Sequence, residues 1–173
     1  GKGLMLGGVA GLSPTDVVII GAGTVGEYAS RTALALGCNV KVFDSSLTRL
    51  RRLHQHTDRN VSTSLIQPKS LRKALKRADV VIGALRSGDG RTPCVVSETM
   101  VKDMKEGSVI VDVSIDHGGC FETSEVTTHK NPIFNKHGIV HYCVPNIASR
   151  VARTSSFAIC NVISQILLKM GEE

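Results

Sequence analysis

Three glycines, two acids and a short polar loop are the residues of this chain with types and spacing suited to chemistry. Gly21, Gly23 and Gly26 close the stretch Val17-Val-Ile-Ile-Gly-Ala-Gly-Thr-Val-Gly26, where four branched aliphatics run into a G-x-G-x-x-G spacing. Glycines so placed make a tight turn, let a pyrophosphate approach the backbone and let the next helix pack closely on the strand. The N–H groups at that helix start, around Thr24 and Val25, form an anion site with the helix dipole. A glycine turn that holds no phosphate is the plainer alternative. Asp44 ends a second aliphatic run 18 residues after Gly26, where a carboxylate can reach the ribose hydroxyls of an adenosine. Arg49, five residues on, is either a stacking or ribose contact or a solvated helix residue; Arg51 and Arg52 read as solvated. Asp116 lies in the loop Ser114-Ile-Asp-His-Gly-Gly-Cys-Phe-Glu122. It either faces a nicotinamide or caps the Gly118-Gly119 turn, and position alone leaves both open. Asn146 either hydrogen-bonds a ribose or carboxamide or finishes a turn after Pro145.

The elements that must hold these residues are legible as apolar periodicity. Val17 to Ile20 reads as a strand buried on both faces. Val25, Ala29, Ala33 and Leu36 follow at helix spacing, and Gly37 ends that helix. The strand Asn39 to Phe43, a basic helix with Leu47, Leu50 and Leu53, and the strand Val61 to Leu65 come next. Leu71, Ala74, Leu75 and Ala78 make a further helix with Pro68 near its start. The strand Val80-Val-Ile-Gly-Ala84 ends at Gly83, Ala84 and Leu85, where a dinucleotide can lie against the backbone. Ser97 caps a helix through Met104. Val109 to Val113 is the fifth strand, leading to Ile115 and Asp116, and Ile139 to Val144 is the sixth, closing on Asn146. A last helix from Ser155 to Met170 carries Phe157, Cys160, Ile163, Leu167 and Met170 on one stripe. This alternation predicts an α/β chain, a doubly wound open parallel sheet (Rossmann fold) with strand order 3-2-1-4-5-6. Ligands of such sheets sit beyond the carboxyl ends of the strands. Residues 21–26, 83–85, 114–118 and 144–146 all end there.

Composition narrows the function classes. The 173 residues suit one domain, 1–173. No apolar run of membrane length and no basic-then-apolar leader occur, so neither a span nor a signal peptide is expected. Five cysteines without a CxxC pair read as reduced thiols in a cytoplasmic protein, with no metal site. The charge of +6 is scattered and aromatics are only 3%, which argues against nucleic acid. His117 and His141, the histidines near the functional edge, read as structural. Asp44 offers acceptors only and would repel a 2′-phosphate, so NAD is expected over NADP. The chain opens without Met in a glycine-rich loop, as a piece of something longer would.

Several longer stretches carry a family resemblance across nearly the whole chain. They are Leu6-Gly-Gly-Val-Ala-Gly11, the glycine turn, Ala78-Asp-Val-Val-Ile-Gly-Ala84, the run Val111 to Ser124, and His141-Tyr-Cys-Val144 followed by Arg153-Thr-Ser155. They resemble the nucleotide-binding domain of the alanine dehydrogenase family, whose relatives include the first domain of the proton-translocating transhydrogenase. Asp116-His-Gly-Gly-Cys-Phe-Glu122 is the most specific and points to alanine dehydrogenase. The resemblance implies reversible oxidative deamination of L-alanine to pyruvate and ammonia, with hydride transfer to NAD. It implies that Asp116 is the active-site aspartate beside the nicotinamide and Asp44 the ribose-binding acid. Arg49 matches a basic residue near the adenosine, and Asn146 an asparagine of the nicotinamide pocket. The family's acid/base histidine and its substrate-carboxylate Lys and Arg belong to a separate substrate domain with no equivalent in these residues. A homo-oligomeric parent, a hexamer, is implied too. The chain departs from the family at Val144-Pro-Asn-Ile-Ala-Ser-Arg-Val-Ala152, which lacks two family prolines and adds Arg150, and at Ile66, where an adenine-pocket serine is usual. A transhydrogenase-like hydride-transfer domain and a non-catalytic nucleotide-sensing module are the alternatives.

Overall fold

The computed structural model describes residues 3–57, 60–86, 88 and 90–171. The aliphatic run forms β1 (Asp16–Ile20), with Val17 to Ile20 all buried. After the glycine turn come α1 (Thr24–Ala35), β2 (Asn39–Asp44), α2 (Leu47–His56) and β3 (Ser62–Leu65). The second half holds α3 (Pro68–Leu75), β4 (Val80–Gly83), α4 (Glu98–Lys102) and β5 (Val109–Asp112). Ser97 caps α4 as expected, its hydroxyl accepting the Met100 N–H at 3.4 Å. The chain then forms β6 (Ile133–Lys136), β7 (Ile139–Tyr142) and α5 (Ala152–Gly171).

The sheet has seven strands in the order β3-β2-β1-β4-β5-β7-β6. Six are mutually parallel and reproduce the expected order, with β7 in sixth place. The seventh, β6, is an addition: it pairs antiparallel with β7 through a two-residue turn. His137 and Gly138 hold that turn at φ 56 and 75, the left-handed pair that suits the twist of a hairpin.

Alternating side chains divide between two buried layers, as a sheet covered on both faces requires. Val17, Ile19, Val40 and Val42 pack with Leu50 and Leu53 of α2. Val18, Ile20, Phe43 and Val81 pack with Leu71 and Leu75 of α3. Full burial of one such leucine contributes about 1.5–3 kcal/mol. α5 is different. Phe157 is 62% exposed and Leu168 65%, and the apolar stripe of Phe157, Cys160, Ile163, Leu167 and Met170 has no cover among the described residues. Residues Ile147–Gly171 are long and apolar enough, by length and composition, to cross a membrane.

Candidate functional site at the carboxyl edge

The glycine turn is built by drawing strand ends together. The Gly21 N–H donates to the Phe43 carbonyl at 2.6 Å, and the Ala84 N–H to the Ile20 carbonyl at 2.7 Å. Gly21 sits at φ 114, and a Cβ on Gly26 would strike the Gly21 carbonyl, so strand and helix meet here only through glycine. Gly23 is different. Its φ is −76, and a Cβ there would meet nothing within 4 Å. The protein itself does not need glycine at this position; a ligand lying on the backbone would. α1 begins beside that space with no side-chain cap, so the N–H groups of Thr24, Val25 and Gly26 have no acceptor among the described residues. Free donors at a helix start next to empty space fit a phosphate.

Asp44 braces the same turn. It is fully buried; one oxygen accepts the Ala22 N–H and the other the Ser46 N–H, each at 2.7 Å. Each carboxylate oxygen keeps a second lone pair. Arg49 is half-exposed and its Nη1 stands 3.9 Å from Asp44, too far for a hydrogen bond. Arg52 does more than the solvated role expected of it. Its guanidinium donates to the Ala22 carbonyl at 3.4 Å and lies 3.6 Å from Glu27. Glu27 also holds His56 Nδ1 at 2.7 Å. The turn is thus gripped from α2, by contacts that no local spacing announces.

Asp116 lies in a short 3-10 helix, Val113–His117, that follows β5. It is exposed, and one oxygen accepts the Asn146 N–H at 2.8 Å. That bond joins the loop after β5 to the loop after β7. Asn146 itself is exposed at φ 49 and caps a second 3-10 helix, Ile147–Val151. Asp116 does not cap the Gly118-Gly119 turn, whose N–H groups donate to the Ile115 and Ser114 carbonyls. The bracing acid is Asp112, which spacing alone marks only as a strand end. Buried, it accepts the Ser114 N–H at 3.0 Å, the Cys120 N–H at 3.0 Å and the Ser124 hydroxyl at 2.7 Å. Burial nevertheless holds its carboxyl above the usual carboxylate range. The Ser114 hydroxyl donates to the Leu85 carbonyl at 2.8 Å and ties in the loop after β4. Gly83, Leu85, Ile115 and Val144 are buried beneath this edge, and Ala84 is half-buried.

His141 has a structural place. It is fully buried and stacked on Phe134 at 4.8 Å between ring centres. Its Nδ1 donates to the Ile139 carbonyl at 3.0 Å, leaving Nε2 to accept from the Thr123 hydroxyl at 2.9 Å. Burial lowers its pKa. His117 is exposed on the Asp116 loop.

Comparison with known proteins bears on this geometry. The family model for the alanine dehydrogenase/PNT C-terminal domain matches residues 1–173. An alanine dehydrogenase of Mycolicibacterium smegmatis is 42% identical over 173 residues, all of this chain and 47% of the relative. A solved L-alanine dehydrogenase superposes with a TM-score of 0.95 at 38% identity, over 100% of this chain and 48% of that one. A transhydrogenase from Sinorhizobium meliloti shares the fold, with a TM-score of 0.83 at 23% identity over 97% of this chain and 49% of that one. The chain spans about half the length of the curated relatives it matches.

Proposed function

The chain belongs to the alanine dehydrogenase/PNT C-terminal domain family, and from that premise we propose that it is the NAD-binding half of an alanine dehydrogenase-like oxidoreductase. The reaction is L-alanine, water and NAD to pyruvate, ammonium, NADH and a proton, and its reverse. NAD, when bound, supplies the hydride acceptor; the chain's own residues bind, orient and stabilise. One observation carries the reading above the rest: the unfilled space at Gly23 beside uncapped N–H groups.

In this account Gly21, Gly23, Thr24, Val25 and Gly26 cradle the pyrophosphate. Asp44 gives its remaining lone pairs to the adenosine ribose, with Arg49 beside it. Gly83, Ala84 and Leu85 floor the crevice, while Ile115, Val144 and Asn146 border the nicotinamide end. Asp116 is the catalytic carboxylate. Its oxygen not bonded to Asn146 orders water or the substrate ammonium and stabilises developing positive charge. Asp112 positions the Asp116 loop.

Residues 1–173 are one domain of a two-domain, cytoplasmic, homo-oligomeric parent. The other domain supplies the substrate-carboxylate contacts and an acid/base group, and covers the bare apolar surface of α5. Steady-state assay of the full-length protein at 340 nm tests this. Turnover is expected with alanine and NAD, and with NADH, pyruvate and ammonium. Hydride passage only to a second nucleotide would replace the reading with a transhydrogenase-like one. Absence of any turnover alongside firm NAD binding would leave a sensing module.

A further inference from the structure

A groove of about 540 Å³ lies at the amino ends of the strands, opposite the glycine turn. That volume suits a small organic ligand. One wall is a face of α3 and its last turn: Ser70, Lys73, Ala74 and Arg77 recur at helix spacing and all line the groove. This face adjoins the one that sends Leu71 and Leu75 into the core. The floor comes from β2 and β3, where Lys41 is in register with Ser62 on one side and Val18 on the other. Lys41 lies two residues before Phe43 and on the same face, its Nζ 5.3 Å from the Phe43 ring.

This floor departs from the apolar pattern of its neighbours β1 and β4. β2 is flanked on both sides by parallel strands, a position that ordinarily carries apolar residues on both faces. Val40 and Val42 obey on the α2 side, although Val40 also reaches the groove, whereas Asn39 and Lys41 line the groove with polar groups. Local violations of this kind concentrate at functional sites. The charges point the same way. Arg72 on α3 and Lys76 just past its end neutralise Asp103 at 2.6 and 3.5 Å. Lys41, Lys73 and Arg77 make no ion pair with any described residue. Asp16 is the one acid among the described lining residues, and it already accepts the Asn39 side-chain N–H at 3.2 Å.

We propose that this groove is a second binding site, for a small phosphate ester or pyrophosphate. Arg77 contributes a forked donor and the two lysines point charges, the usual complement of a phosphate. The serine hydroxyls and the Asn60 amide supply neutral hydrogen bonds to the remainder of the ligand. The three cations and the hydroxyls around the groove favour such an ion over an apolar protein segment, with Val17, Val18 and Val40 beneath them. Lys73 and Arg77 are exposed, so binding weakens as salt rises.

The test is an amide-resolved titration of the 15N-labelled protein with sodium pyrophosphate at low ionic strength, with NAD in excess. Saturable shifts are expected at Asn60, Ser62 and Ser70. The double variant Lys73→Ala/Arg77→Ala should bind at least about tenfold more weakly while its NAD affinity stays unchanged. Because each amide reports separately, the result does not depend on whether NAD binds. Shifts confined to Gly23–Gly26, a lack of saturation, or equal affinity in the double variant would overturn the proposal. Saturation by a polyglutamate peptide at lower concentration than by pyrophosphate would give the groove to a protein partner instead, and would overturn it as well.

Discussion

Asp116 gives one carboxylate oxygen to the Asn146 N–H and leaves the other at an exposed edge, whereas Asp112, four residues earlier, is buried and saturated with donors. The same substitution should therefore have different effects at the two sites. Asp116→Asn keeps an acceptor for Asn146 but removes the charge. In the full-length enzyme kcat should fall by about 10²–10³, with NAD affinity and Tm nearly unchanged. Asp112→Asn turns an amide N–H towards other donors. It should lower stability by about 1–3 kcal/mol in urea unfolding. Loss of stability with normal kcat at Asp116 would make that residue a structural brace. His141 sets the pH response. Its folded pKa is lowered by burial, so the unfolded chain takes the proton first. Its contribution is whole above the ordinary value near 6.5 and is lost as pH falls below it. The urea midpoint should fall from pH 7.5 to 5.5, and His141→Gln should flatten that slope. Asp112, raised by burial, acts oppositely and in a lower window: it favours the fold most below the ordinary carboxylate range. The placement of Asp44, Asp116 and Asn146 at this edge was legible because Asp44 ends a strand and the other two lie in the loops that follow one. Asp112, Glu27 and Arg52 were not, since their partners lie far along the chain or answer only to the backbone.

The glycine turn separates two kinds of necessity. Gly26 is demanded by the packing of α1 on β1, and Gly23 by no protein atom. Gly26→Ala should destabilise the fold by more than about 2 kcal/mol, as overpacking against backbone does. Gly23→Ala should leave the thermal midpoint near native, or raise it slightly through the unfolded chain. Equal losses from both would mean that the Gly23 space is closed in solution. The six parallel strands were readable from continuous aliphatic runs meeting glycine or acid. β6 escaped because Ile133-Phe134-Asn135-Lys136 is short and half polar, and its turn places His137, not the usual Asn, at positive φ. The 3-10 helix after β5 leaves no sequence signal, since its geometry is imposed by the buried Asp112.

Across the whole molecule, one edge of the sheet gathers the glycine turn, Asp44 and the Asp116–Asn146 pair, while α5 stands bare on the outside. An apolar helix of that length is stable in water only when something covers it. In the proposed reading the other half of the parent would do so and would close the nicotinamide end, where exclusion of water strengthens every electrostatic contact. The stripe on α5 was legible as helix periodicity; the absence of its cover was not, because periodicity reports a face and not its partner. In the proposed reading, dinucleotide binding draws only on residues 17–146. The most direct test is calorimetric titration of NAD and NADP into the native protein and Gly23→Ala. The expected result is saturable NAD binding that exceeds NADP binding and is lost by at least about tenfold in the variant with its fold intact. Tighter binding of NADP, or full NAD affinity in Gly23→Ala, would contradict the assignment of Asp44 and the glycine turn.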